Sequence, residues 1–79
     1  MKTPQLNPPD GLIESLAEIE HEQWMHWSKA VAGDVSDATR NNWQRSWVAY
    51  TELKEEAKEA DRVWARKVVR LLRQRRLFP

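Results

Sequence analysis

Apolar residues recur at helical spacing in two long stretches of this chain, and that periodicity limits its fold more than any other feature. Leu12, Ile13, Leu16, Ala17, Ile19, Trp24, Trp27, Ala30 and Val31 fall on one broad face when successive residues turn by about 100°. A second set, Leu53, Ala57, Ala60, Trp64, Val68, Leu71 and Leu72, opens with steps of 4, 3, 4, 4 and 3, the seam of an antiparallel helical hairpin. Between them, Gly33-Asp34 is a C-terminal stop, and Ser36 followed by Asp37 is a new helix start. The expected fold class is therefore all-α. Two long antiparallel helices over about 11–32 and 51–76, capped by Asp10 and Thr51, flank a short middle helix over about 36–46. That short helix sets Trp43 and Trp47 one turn apart, and Trp47-Val48-Ala49-Tyr50 is an extended link. Residues 1–9, with Pro4, Pro8 and Pro9, read as an extended tail before a single small helical domain over 10–79.

A chain of 79 residues holds one compact unit, and a core of that size supplies only about 3–5 kcal/mol of net stability. Indole buries a large area per side chain, so the five tryptophans are natural core residues. They are also favoured anchors of binding surfaces and platforms for flat ligands, and five exceed what so small a core needs. Trp24 and Trp64, central in their stripes, are expected to face each other across the hairpin. Val63, Val69 and Leu77, off the main seam, join Trp43 in an expected exposed patch, which implies a homo-oligomer.

Charge is distributed unevenly. Residues 1–61 hold six basic and twelve acidic residues, whereas residues 62–79 hold seven basic and no acidic ones. Arg62, Arg66, Arg70 and Arg73 form a basic stripe that suits phosphate. An acidic start and basic end also complement a helix's own dipole, and the acidic remainder would repel a nucleic-acid backbone. A basic-helix nucleic-acid binder is thus the least favoured of the readings kept. The longest apolar run is Trp47-Val48-Ala49-Tyr50, far below the roughly 20 residues of a membrane span. With no signal-like stretch and no cysteine, the expectation is a cytoplasmic protein in a reducing compartment, with no membrane partner.

Little in the sequence points to catalysis. His21 and His26 are five apart and off a common face, so no metal site is expected. The only glycines are Gly11 and Gly33, which excludes a glycine-rich phosphate loop, and no nucleophile is paired with a base. The chain is read as a non-enzyme without a cofactor. Glu20 is the anomaly of the first helix, a carboxylate in the middle of the apolar stripe. It must be paired, protonated or set at an opening in the core. One reading pairs it with Arg75 or Arg62, and the other places it at the floor of a cleft. His21 lies at the edge of the same stripe, as a structural donor or a site residue.

Two segments resemble a known family. His21-Glu22-Gln23-Trp24 is similar to the His-Glu-x-Trp motif of the ryanodine-receptor repeat domain, the RyR domain. The segment from Trp47 to Arg62 resembles that family's second signature: an aliphatic-Pro-Tyr stretch, a Leu-Pro, an acidic run and a closing Asp-Arg. The order and approximate distance of the motifs agree, over roughly residues 12–72. Ala49 and Lys54 stand where the family usually has prolines, a departure expected to let the last helix start earlier. The intervening loop carries Asn41, Asn42, Trp43 and Arg45 in place of the family's Gly-Trp-x-Tyr-Gly pattern. A short stand-alone repeat looks like the small versions of bacteria and their phages, implying a bacterial host cell.

The resemblance implies a helical fold with a cleft used for binding, and bacterial members look like binders of nucleotide-derived molecules. On that reading a small anionic nucleotide-derived ligand lies where the two motifs meet. His21 and Trp27 come from the first helix, Trp47 and Tyr50 from the link, and Arg62 supplies a planar cation for two phosphate oxygens. Glu20 and Asp61 are candidate buried polar groups, Asp61 as the orienting partner of a neighbouring base and not a ligand contact. The alternative role for Asp61 and Arg62 is to tie the last helix to the first. The alternative function is a helical module for protein–protein interaction or homo-oligomerisation.

Overall fold

A computed structural model of the chain describes residues 11–76. The described residues are all-α: α1 spans Leu12–Ala30, α2 Asp37–Gln44 and α3 Glu55–Gln74. One-turn 3₁₀ segments, Ala32–Asp34 and Tyr50–Glu52, sit in the two connections. Ile13 shares a surface with Val69 and Arg73 near one end, and His21 meets Asp61 further along. Rising numbers on α1 thus meet falling numbers on α3, and the two long helices are antiparallel. Across its two shorter axes the Cα trace measures 23 × 15 Å, so the molecule is thin.

Each helix start has a local cause. Gly11 stands at the N-cap of α1 with φ 81°, a left-handed value that glycine adopts at little cost. Asp10, the expected cap, lies outside the described residues, as do the tail over 1–9 and Leu77. At α2 the Ser36 hydroxyl accepts from the Thr39 backbone N–H at 3.2 Å, capping the helix as its sequence predicts. That helix ends at Gln44 rather than Ser46. Trp47 therefore lies in the connection and not one turn along from Trp43.

α3 begins four residues later than expected. Thr51 sits inside the 3₁₀ turn, and Lys54 takes the N-cap position without a side-chain cap. The substitutions for proline do not extend the helix. Ala49 has φ −59° and ψ 147°, and Lys54 has φ −66° and ψ 156°. Those are extended angles that proline itself prefers.

The core is small and differs from the expected seam. Ala17, Tyr50 and Ala65 form its buried cluster, with Ile13, Leu16 and Leu53 packed against it, and Val69 is buried nearby. Trp24 is half-buried and Trp64 is 55% exposed, so these indoles do not pair across the hairpin. The reason is steric. Both Ala17 and Ala65 are fully buried, and small side chains at the point of contact let two helix backbones approach. An indole there would force them apart.

α3 is accordingly rolled so that Ala65 and Val69 face α1, while Trp64, Val68 and Leu71 turn outward. The expected exposed patch changes with it. Val69 is buried and Trp43 half-buried, and Val63 alone of the described members stays exposed.

Candidate functional site

Three polar side chains of α1, seven residues apart, hold the connection between α2 and α3. Glu14 accepts from the Tyr50 hydroxyl at 3.0 Å. His21 Nε2 lies 2.6 Å from the Val48 carbonyl oxygen, and since a carbonyl only accepts, Nε2 carries the proton. Ser28, fully buried, accepts from the Trp47 indole N–H at 2.9 Å and donates to the Met25 carbonyl. A seven-residue step advances an α-helix by nearly two full turns, so the three groups line one edge of α1. This strip of polar residues on an otherwise apolar face was the sequence signal for the tether.

Arg62 is the second junction. Its Nε and Nη2 hold both oxygens of Glu14, and its Nη1 lies 2.8 Å from Glu55 and 3.7 Å from Glu59. Arg62 thus ties α3 to α1 through Glu14, not through Glu20. The guanidinium hydrogen bonds hold the Glu14 and Glu55 carboxyls below the usual carboxylate range. The same bonds push Arg62 further up. Burial, and then the hydrogen bond to Glu14, raise the Tyr50 phenol.

Of the five residues named for an anionic ligand, His21, Trp47 and Tyr50 gather at the α1–link junction, and Tyr50 and Arg62 share Glu14. His21 Nε2, the Trp47 indole N–H and the Tyr50 hydroxyl are engaged with protein partners, and the Arg62 fork is filled by carboxylates. Trp27 lies elsewhere, 54% exposed, with its ring 5.6 Å from that of Trp43.

The open space lies beside this junction. A cleft of about 230 Å³ is lined by His21, Trp24, Leu53, Ala57, Ala60 and Asp61. The Trp24 ring is stacked on His21, with centroids 6.0 Å apart. Asp61 Oδ2 is 3.8 Å from His21 Nδ1, too far for a hydrogen bond. Burial raises the Asp61 carboxyl, the His21 ring lowers it, and Glu20 nearby raises it. Glu20 is half-buried and forms no ion pair among the described residues. Sharing Trp24, Leu53 and Ala57, a wider trough of about 480 Å³ runs on past Asn42, Trp43, Arg45, Glu52 and Lys54.

A separate surface is apolar. Trp64, Val68 and Leu71 fall within about 60° on the α3 wheel, and each is more than a third exposed. Lys67 Nζ sits 4.3 Å from the Trp64 ring centroid. Sequence periodicity found these residues and assigned them to the wrong side of the helix.

No helix among the described residues is long and apolar enough to cross a membrane. The resemblance to RyR domains rests on its two sequence motifs. No protein-family model matches this chain, and comparison with curated proteins and with solved structures brings no match.

Proposed function

We propose that the protein is a helical interaction module that pairs with a second copy of itself through the outward stripe of α3. The observation that carries this reading is the exposure of Trp64, Val68 and Leu71 in one arc, in a molecule whose buried apolar core is Ala17, Tyr50, Ala65 and Val69. A thin two-helix layer leaves one side of α3 without a neighbour, and a second layer is the usual solution for such a face. Extending the stripe to Ala57 and Ala60 gives about four turns of helix with small residues at one end and large ones at the other.

Charge sets the direction of pairing. The start of α3 carries Glu55, Glu56, Glu59 and Asp61, and from Arg62 to Arg76 every charged residue is basic. Antiparallel pairing lays the acidic start of one copy beside the basic end of the other, whereas parallel pairing sets like charges together. With Trp64 on the two-fold axis, Ala60 meets the second copy's Val68 and Ala57 meets its Leu71, so small residues oppose large ones.

The native chain has no cysteine, which makes single-cysteine variants a clean test. Mixing Ala60→Cys chains with Val68→Cys chains under mild oxidation gives a cross-linked pair, and Leu71→Cys chains alone do not. Leu71→Cys chains that cross-link to each other, or an absence of cross-links in every mixture, would overturn the proposal.

A further inference from the structure

We infer that the cleft beside His21 is a binding site for an alkylammonium group; its lining shares Ala57 and Ala60 with the face proposed for self-pairing. The argument starts from one proton. His21 is 4% exposed, and its Nε2–H is fixed on the Val48 carbonyl. In the neutral ring Nδ1 is then a lone-pair acceptor. It borders the cleft and makes no hydrogen bond among the described residues. A second acceptor, the Asp61 carboxylate, lies 3.8 Å from it. Two acceptors at that separation cannot satisfy each other. One nitrogen donor sitting over both reaches each at about 2.9 Å.

The rest of the cleft selects the donor's charge and shape. Asp61 and the nearby Glu20 are both acidic, and no lysine or arginine borders this part of the cleft. Trp24, stacked on His21, borders the cleft as an apolar wall. Leu53, Ala57 and Ala60 supply an aliphatic lining, suited to the methylene chain of a primary amine. An ammonium carries three donors and no acceptor, so it suits a site built from Nδ1 and a carboxylate beside an apolar lining. Phosphate, an acceptor with negative charge, would meet two acceptors at Nδ1 and Asp61, whereas the Ser46 hydroxyl that also borders the cleft can serve either ligand, donating to phosphate or accepting from an ammonium. The chemistry has two sources: a free amine, or a lysine side chain carried by a second copy of this chain, Lys67 being the lysine of the basic segment 62–79.

The test uses n-butylammonium chloride as the probe and the His21 ring nitrogens as the reporter, by ¹⁵N NMR of the full chain at pH 8. The expected result is an Nε2–H tautomer and a saturable shift of Nδ1 with butylammonium, but none with butanol or inorganic phosphate. Asp61→Asn should retain helicity and weaken the response at least about tenfold, the scale of one charge-assisted hydrogen bond. Repeating the titration on a Trp64→Lys variant separates the sources. Equal binding to both proteins assigns the site to a free amine, and binding by the variant alone assigns it to the second copy's lysine. A doubly protonated His21 ring, failure to saturate in both proteins, an equal response to butanol, or unchanged binding by Asp61→Asn would overturn the inference.

Discussion

At Arg62 one guanidinium meets Glu14 from α1 and Glu55 from its own helix, and Glu14 passes the contact on to Tyr50. The pH dependence of folding follows from these bonds. Glu14 and Glu55 have folded-state pKa values below the ordinary 4.5. Their contribution is present above that value and is lost as pH falls through the depressed values. Asp61 runs the other way. Its pKa lies above the ordinary 3.8, so its contribution is complete below that value and is lost as pH rises through the raised one. Thermal unfolding between pH 7 and pH 3 should therefore show a falling midpoint in the acid range, and Glu14→Gln should flatten that fall. An acid limb identical in Glu14→Gln would disprove the anchor. For the same reason Asp61→Asn should raise the midpoint at neutral pH, and a clear drop would mean that ionised Asp61 stabilises the fold. Tyr50→Phe removes the bond to Glu14 and should cost about 0.5–1.5 kcal/mol in a denaturant titration. No measurable loss would make that contact incidental.

The helices show which parts of the fold the sequence carries. α2 starts where Ser36 predicts, because a hydroxyl three residues before an open N–H is a local and sufficient signal. α3 does not start at Thr51, because the 3₁₀ turn over Tyr50–Glu52 is set by Tyr50 reaching Glu14, a partner 36 residues away. Periodicity located the apolar arc of α3 but not its buried edge. Ala57, Ala65, Val69, Leu72, Trp64, Val68 and Leu71 together span more of the helix than α1 can cover, and helical spacing cannot say which edge a neighbour takes. Two features decided it: Ala65 opposite Ala17, and Arg62 opposite Glu14. Of the candidate site, His21, Trp47 and Tyr50 came from motif positions, whereas the acceptor character of Nδ1 depends on the Val48 carbonyl, which no side-chain pattern reveals. Prolines test the backbone at this scale. Among the described residues, neither Ala49 nor Lys54 donates a hydrogen bond from its backbone N–H, and both have φ near proline's fixed value. Lys54→Pro, preceded by Leu53 at ψ 153°, should stabilise the chain by about 0.4–1 kcal/mol. Destabilisation would show that the 3₁₀ turn and the α3 start are placed wrongly.

For the molecule as a whole, the account turns on which side of α3 faces inward. With Ala65 and Val69 against α1 and Trp64 outside, Trp64 has little part in the monomer's core and is the centre of the face proposed for self-pairing. Sedimentation equilibrium of the native chain and of Trp64→Lys, each checked for helicity by circular dichroism, measures both halves of that statement. The native chain should approach twice the 9.4 kDa monomer mass with rising concentration, and Trp64→Lys should stay monomeric with unchanged helicity. A native chain that remains at 9.4 kDa throughout, or a Trp64→Lys chain that loses its helices, would contradict the account.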